Sequence, residues 1–543
     1  MRNAKSDVIT RTLTYRELHA SALRIAARLA ANGDRGQRVL LLFPDGLDFV
    51  SAFVGCLYAG ATAVPAPLPD RFRTATDRAA GILRDAGATT LLTDGAHHDL
   101  VSDWLAEQDA PEVPCLDTTA LADGARGWCP RAAAPADVAF LQYTSGSTSD
   151  PKGVVVSHGN LMANLETIHH TIGTTGDLRA VGWLPAIHDM GLVGQLLSVL
   201  YVGGHLVLMP PNEFLRYPYR WLSLIGEFRA THTVAPNFAY DLCLRRVTDE
   251  QVSSLDLSSL EVVLNGAEPI RADTLDAFAE RFAPAGFDRA AFSPCYGMAE
   301  ATLLVSGSPR LEPPVITEVD ADALAKGALE QTPLPGTGRR LVSSGRPRGC
   351  SVLIVDPHSA EALPDGSVGE IWLRGDSVTR GYWRRAESTL ESFRRTPSLP
   401  GDPGGWLRTG DLGALVDGEL FVTGRLKDVI VVNGRNLYPQ DMEYVARDCH
   451  EEFRSGSCAV FGLSENSGHV VVVQEARPRL FRTGNPEEAA GNVRRALSRE
   501  FDIAPRAVLL VRPGTVRKTT SGKVRRALMR QMYLDGALEA RAL

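Results

Sequence analysis

None of the eight cysteines, Cys56, Cys115, Cys129, Cys243, Cys295, Cys350, Cys449 and Cys458, belongs to a C-x-x-C pair. A redox motif or half of a zinc site would use that spacing, and a chain of 543 residues needs no disulfide staples to hold a core. The thiols therefore read as reduced core or surface groups. A basic surplus is absent too. Lys and Arg number 57 against 64 Asp and Glu, a net charge of −7, whereas a binder of nucleic-acid backbone normally carries an excess of positive charge. The start, Met1-Arg2-Asn3-Ala4-Lys5, has no apolar signal core. Long hydrophobic runs are also missing. The most membrane-like stretch without Lys or Arg, 180–215, is broken by Pro185, His188, Asp189, Gln195 and His205. Such a segment crosses a bilayer only at high cost. It reads as a buried helix over 192–201, a Gly-Gly turn and a strand over 205–209. These absences suggest a cytoplasmic protein with no transmembrane segment and no nucleic-acid partner.

What is present is alternation. Thr14 and Glu17 form a plausible capping box for a helix over 14–31. Strands are expected over 38–43, 62–64, 89–92, 139–142 and 261–265, and a helix over 46–59. Such alternation predicts parallel sheets covered by helices. After Ser306 the character changes. Residues 307–345 are rich in Pro and Gly, with one helical piece over 321–329. Short strands follow over 352–355, 369–374 and 419–423, separated by turn residues, and the run 400–405 reads as a loop. From Lys427 a unit mixing strands and helices runs onward. The expected fold class is α/β: a large N-terminal domain of βα sheets plus a small β-rich lobe, with a smaller mobile α+β C-terminal domain. The expected division is 1–425, including the lobe at about 345–425 and the Pro/Gly segment at about 309–345, and then 426–543.

The strongest local signal is Thr144-Ser145-Gly146-Ser147-Thr148-Ser149-Asp150-Pro151-Lys152-Gly153. It follows an apolar strand and precedes a helix expected from about His158. Glycines let backbone N–H groups approach phosphate oxygens, hydroxyls donate, and Lys152 brings charge. No Gly-Lys-Ser/Thr closes the loop, so it is not a Walker A motif. The run resembles the phosphate loop of the adenylate-forming superfamily, which includes acyl-CoA synthetases, luciferases and nonribosomal adenylation domains. Six further motifs of that superfamily follow in order. They are Trp183-Leu184-Pro185-Ala186-Ile187-His188-Asp189-Met190-Gly191, Asn265-Gly266-Ala267-Glu268-Pro269, Cys295-Tyr296-Gly297-Met298-Ala299-Glu300-Ala301-Thr302, Leu407-Arg408-Thr409-Gly410-Asp411-Leu412, Gly424-Arg425-Leu426-Lys427-Asp428 and Lys518-Thr519-Thr520-Ser521-Gly522-Lys523.

The resemblance implies ATP and Mg²⁺ as cofactors and a carboxylic acid as substrate. A carboxylate attacking the α-phosphorus of ATP meets negative charge, so a cation is needed at the point of contact and a metal on the phosphates. By resemblance Lys523 is that cation and Glu300 the Mg²⁺-linked carboxylate, a hard ligand for a hard ion. Thr144, Ser145, Gly146, Ser147, Thr148 and Lys152 would hold phosphates. Asp411 would accept the ribose hydroxyls, and Arg425 would contact ribose and phosphate. Tyr296 would stack on adenine, flanked by Gly297, Met298 and Ala299, while the backbone of Gly266, Ala267 and Glu268 reads the base edge. His188 would gate or wall the acyl pocket, with Ile187, Asp189, Met190, Val234, Ala235, Asn237 and Phe238 around the acid. Lys427 resembles the hinge between domains. Taken singly, such residues have plainer readings: a solvated carboxylate, a core tyrosine, a packed histidine.

Within the superfamily, the runs 183–194, 236–243, 294–307 and 434–441 resemble fatty acyl-AMP ligases. So does the Pro/Gly stretch 309–345, which looks like the insertion of that branch. In that family the insertion disfavours the arrangement coenzyme A needs, and the acyl-adenylate goes to the phosphopantetheine arm of an acyl carrier protein. No carrier segment follows Leu543, so the carrier is expected in trans. Three departures bear on the site: Ser149 where a glycine is usual, Val234-Ala235 where glycines are frequent, and Ile187 in place of tyrosine. The last two suggest an altered acid preference. Rival readings stay open: an acyl-CoA synthetase, a ligase with an amine acceptor, a nonribosomal adenylation domain, or a nucleotide-binding paralogue without catalysis.

Overall fold

The computed structural model describes residues 11–538 except 71–72, 109, 111, 123–127, 131, 145–150, 333, 394, 399–400, 433–434, 464–468 and 520–521. The first helix, Tyr15–Ala31, opens on the expected capping box, Thr14 accepting from the Glu17 N–H while Glu17 reaches back to Thr14. Such a cap stabilises a helix by about 1 kcal/mol.

Two sheets form the large domain. One is six-stranded, in the order Cys115–Asp117, Thr90–Thr93, Arg38–Leu42, Thr62–Ala66, Val138–Tyr143, Gly153–Ser157. All its pairings are parallel except the last. The other is seven-stranded: Arg346–Pro347, Leu304–Gly307, Phe292–Gly297, Val262–Asn265, His232–Ala235, Arg179–Gly182, His205–Leu208. Continuous apolar runs such as Val39 to Leu42 are buried throughout, as expected for parallel strands covered on both faces. Helices Leu47–Ala59 and His158–Ile172 lie in the layer between the sheets, in a core joining Phe53, Phe140 and Ile168 to Val234 and Leu264. Helices Pro218–Glu227, Asn237–Arg246 and Ala272–Phe282 cover the far face of the second sheet.

A four-stranded antiparallel lobe follows: Cys350–Val355, Gly369–Gly375, Leu407–Val416 and Glu419–Arg425. The Pro/Gly stretch contributes a hairpin, Ile316–Val319 with Arg339–Val342, and a short helix, Ala321–Ala325. The last unit is a three-stranded sheet, Cys458–Gly462, Val470–Glu475 and Ala507–Val511, with helices Pro439–Asp448, Pro486–Phe501 and Arg526–Leu534. All eight cysteines are free. Among the described residues no helix is long and apolar enough to cross a membrane.

Several expectations need correcting. The helix expected over 192–201 begins at Met190 as a π-helix, Met190–Leu197, and becomes α-helical only at Ser198–Val202. Gly191 permits this, since a Cβ there would run into the Pro185 carbonyl oxygen. Gln195 folds back so that its Oε1 accepts from the Leu184 N–H at 3.2 Å. Wide π turns of this kind recur at functional sites. The helix expected from about His158 is present as His158–Ile172, and the strand Gly153–Ser157, paired antiparallel with Val138–Tyr143, stands before it. The helical piece over 321–329 stops at Ala325, because Gly327 takes a φ of +90°. Residues 407–416, for which no element was expected, form a full strand.

Candidate active site

The lobe strands put Asp411 opposite Arg425 in the antiparallel register. Arg425 Nε donates to Asp411 Oδ1 at 3.2 Å, and the Tyr296 hydroxyl donates to Oδ2 at 2.8 Å. Three distant motifs therefore meet on one carboxylate. Tyr296 is buried. Burial first, then the neighbouring Asp411, pushes its hydroxyl well above the usual tyrosine range. Asp411 in turn raises the Arg425 guanidinium against burial. Gly297 follows where any Cβ would meet the Leu303 carbonyl oxygen. Met298 and the buried Ala299 complete this wall.

Glu300 stands in the single 3-10 turn Ala299–Ala301. Tyr382 donates its hydroxyl to Glu300 Oε1 at 2.8 Å, and the Glu300 carbonyl accepts from the Thr379 N–H at 2.9 Å. Burial raises the Glu300 carboxyl, while the Tyr382 bond and Arg425 oppose the rise. On the other side of the same tyrosine, the Lys152 ammonium lies 5.2 Å from the ring centroid and donates to Ser388 Oγ at 3.3 Å. Thr144 closes the loop's mouth, its N–H donating to the Lys152 carbonyl at 3.2 Å. Ser145, Gly146, Ser147 and Thr148 lie outside the described residues.

On the acid side, Gly266 packs where a Cβ would stand 2.8 Å from the Cys295 carbonyl oxygen. Ala267 takes a φ of +66°, a strained conformation of the kind that gathers at functional sites. Glu268 Oε1 accepts from the Phe238 N–H at 2.5 Å. Asp189 accepts from the Met190 N–H at 2.8 Å. Burial raises both carboxyls, and Lys523 pulls each the other way.

Lys523 reaches this group from the C-terminal unit. Its hairpin is closed by the Thr519 N–H on the Lys523 carbonyl (2.8 Å), the Gly522 N–H on the Thr519 carbonyl (2.9 Å) and the Lys523 N–H on Thr519 Oγ1 (3.1 Å). Gly522 has a φ of +86°, and a Cβ there would come 3.8 Å from the Phe238 ring. The side chain keeps contact with solvent, yet protein surrounds it on most sides. This crowding first, then Arg425, lowers its ammonium below the ordinary lysine range, while Asp189, Asp411 and Glu268 oppose.

Not all expected pocket residues share a wall. The two-residue period of a strand separates Val234, packed with Met190 and Leu264, from Ala235, which faces Trp183 and Phe292. Asn237 is spent on Thr274 and the Arg271 N–H. The Ile187 carbonyl accepts from Gln142 Nε2 at 2.9 Å, and the half-buried His188 sits in the turn that opens the π-helix. Lys427 is exposed just beyond the lobe strand. Sequence reasoning missed Tyr382, which joins Glu300 to Lys152, and Lys518, a lysine lowered by burial that faces Glu475 and Glu268. It also missed the contacts across the two domains. Arg271 stacks on Tyr444 at 3.1 Å, and Arg339 pairs with Asp441 at 2.5 Å.

The family described as AMP-binding enzyme matches residues 4–383, and the one described as Disco-interacting protein 2-like, AMP domain, matches 427–543. The medium-chain-fatty-acid acyl-carrier-protein ligase JamA of Moorena producens (strain JHB) is 40% identical, over 99% of this chain and 92% of that one. The chain belongs to the fatty acyl-AMP ligases of the AMP-binding enzyme family. The long-chain-fatty-acid AMP ligase FadD32 of Mycolicibacterium smegmatis is 36% identical over 99% of this chain and 91% of its own. A structure from work on fatty acyl-adenylate ligases of E. coli and L. pneumophila superposes with a TM-score of 0.87 at 34% identity, covering 97% of this chain and 93% of that one. As a fatty acyl-AMP ligase, the chain joins AMP to an acid.

Proposed function

We propose that this ligase couples a fatty acid to AMP with release of pyrophosphate, in the cytoplasm, and then hands the acyl group to the phosphopantetheine thiol of a carrier protein on a separate chain. The observation that carries the reading is the Lys523 hairpin set against Phe238, whose N–H bonds Glu268, with Asp189, Asp411 and Arg425 acting on the ammonium. In this reading Lys523 holds the acid's carboxylate against the α-phosphate. Asp411 and Arg425 hold the ribose, Tyr296 and the 266–268 backbone hold adenine, and Lys152 with the 144–148 loop holds the triphosphate. Val234, Met190 and Phe238 line the acid's path, with His188 at its mouth.

Glu300 suits Mg²⁺. No group of three or more His, Cys, Asp or Glu able to hold a metal occurs among the described residues. A lone half-buried carboxylate is a poor cage but a good single ligand for an ion whose other ligands are phosphate oxygens and water. When bound, that ion would neutralise phosphate charge. The chain's own part is to keep Glu300 oriented through Tyr382 and Thr379.

For the acceptor, the support is the carrier-protein ligase among the relatives and the packing of the Pro/Gly segment. Val319 and Leu324 of that segment share a cluster with Leu412, Tyr438, Leu426 and Val429, on both sides of Lys427. A wedge there limits how far a domain comprising 426–543 swings from one comprising 1–425, which disfavours coenzyme A. Incubation with ATP, Mg²⁺ and a panel of short, long and aryl-substituted acids, followed by coenzyme A or a holo-carrier, tests the whole reading by mass spectrometry. Adenylate should form with one class of acid and the acyl group should appear on the carrier. No adenylate with any acid would overturn the reading.

The hinge gives a separate prediction. Lys427→Pro fixes φ at the boundary. Adenylate formation should stay within about threefold while transfer to the carrier slows at least tenfold, since switching needs that backbone change. Single-turnover rates of the two half-reactions check it, and equal effects on both would count against a hinge.

A further inference from the structure

Helix Asn237–Arg246 runs from the reaction centre to the surface. At its start, Phe238 receives Glu268 on its N–H and the Gly522 turn on its ring. At its end stand Arg245 and Arg246, both exposed. Eight residues of helix at 1.5 Å each separate these points by about 12 Å. Arg246 donates to the Leu215 carbonyl at 2.9 Å, which brings in the end of helix Pro211–Arg216 and the turn after it. There Leu215 is 44% and Tyr217 64% exposed, with the exposed Arg216 between them. In a chain of net charge −7, three arginines beside two bare apolar side chains form a local exception. Of the carboxylates close by, Asp241 is occupied by the Thr274 hydroxyl at 2.9 Å, Asp249 by Arg281 at 2.9 Å and Asp448 by Arg454 at 3.8 Å, while Glu213 and Glu250 also lie near in the chain. Arg245 also donates to the Arg454 carbonyl of the C-terminal unit at 3.2 Å. It would be released when that unit moves.

The geometry points to this patch, Leu215, Arg216, Tyr217, Arg245 and Arg246, as the docking surface for the carrier protein, with the arginines holding the phosphodiester at the root of its phosphopantetheine arm. The inference rests on the carrier-transfer reading above. An extended pantetheine chain is longer than the helix, so a phosphate held at its far end leaves the thiol able to reach the acyl group beside Phe238. Triphosphate charge has its own place on the Tyr382 side, at Lys152 and Glu300. The patch is therefore free for a second anionic reactant. Tyr217 and Leu215 give the carrier an apolar contact, and the surrounding charge steers it in. Crowding by protein first, then Arg447 and Arg246, lowers the Arg245 guanidinium, while Asp241 opposes.

The test uses the full-length protein and a holo acyl carrier protein of bacterial fatty-acid synthesis, with free phosphopantetheine and pantetheine as small thiols. In the wild type, phosphopantetheine should be acylated more efficiently than pantetheine. The double variant Arg245→Glu/Arg246→Glu should release pyrophosphate with acid and ATP within about twofold of wild type. It should raise KM for the carrier about tenfold or more and lose the preference for the phosphorylated thiol. Tyr217→Ser should raise the carrier KM while leaving that preference intact. An unchanged carrier KM in the charge-reversal variant, or a retained phosphate preference, overturns the docking site while leaving carrier transfer standing. Loss of adenylation in a variant with a wild-type circular-dichroism spectrum also overturns it, because the patch would then serve the first half-reaction. If wild type acylates no carrier but does acylate coenzyme A or an amine, the transfer reading fails and the docking site with it.

Discussion

Lys523→Ala is expected to lower the rate of adenylate formation about a thousandfold, ~4 kcal/mol of transition-state stabilisation, while leaving the protein folded. The side chain sits on a two-strand turn held by backbone bonds and the Thr519 hydroxyl, none of which uses the ammonium. The loss should therefore fall on kcat for the first half-reaction. Transfer of the acyl group from synthetic acyl-AMP to a holo-carrier should persist, because no new negative charge meets another in that step. Lys523→Arg should rescue little, since a planar fork cannot replace a compact point charge among Asp189, Glu268 and Asp411. The pH dependence sharpens this. Crowding by protein and Arg425 hold the ammonium below the ordinary lysine value, so adenylation should fail on the alkaline side at a lower pH than a free lysine would impose. Stability moves the other way. The unfolded lysine keeps its proton to higher pH than the folded one, so folding is favoured as pH rises through the depressed value. Initial rates of pyrophosphate release against pH, beside thermal melts over the same range, separate the two. An alkaline limb that survives in Lys523→Ala would assign it to another group.

How much of this was legible in the sequence depends on what each signal rests on. The βα halves could be read because buried parallel strands write continuous apolar runs, as at 39–42, and because helix caps such as Thr14 and Glu17 are local. The convergence of Tyr296, Asp411 and Arg425 could be anticipated only through the ordered motifs, since 115 residues separate the first two and no periodicity links them. The π-helix escaped because its cause is tertiary: a close approach of Gly191 to Pro185 and the return of Gln195 to Leu184. The strand 407–416 was not anticipated; Gly410, at a φ of +71°, is an irregularity inside it. Tyr382 carried no signal at all. A single tyrosine has no pattern, and its role exists only because Glu300 and Lys152 arrive on either side. The splitting of Val234 from Ala235 was in principle readable, since adjacent strand residues face opposite ways. Within that pair it leaves Val234 as the position expected to bear on acid preference, beside Ile187.

Asp411→Ala should cost kcat/KM for ATP a factor of about 10² to 10³, ~3–4 kcal/mol, since it removes the ribose acceptor and strands two donors at once. The buried Tyr296 hydroxyl loses its 2.8 Å partner and Arg425 its 3.2 Å one. Part of the effect must therefore appear as lost stability, measurable as a fall in Tm without nucleotide. Asp411→Asn keeps an oxygen for Tyr296 but offers Arg425 an amide in place of a carboxylate. It should recover much of the Tm and little of the activity. The ribose role is isolated by substrate. Wild type should discriminate against 2′-deoxy- and 3′-deoxy-ATP, and Asp411→Ala should treat them nearly as it treats ATP, because the acceptor they fail to meet is gone. If the variant kept full discrimination, Asp411 would hold Tyr296 and Arg425 in place without touching the ribose. Its effect on kcat/KM would then belong to the adenine and phosphate contacts proposed for those two residues.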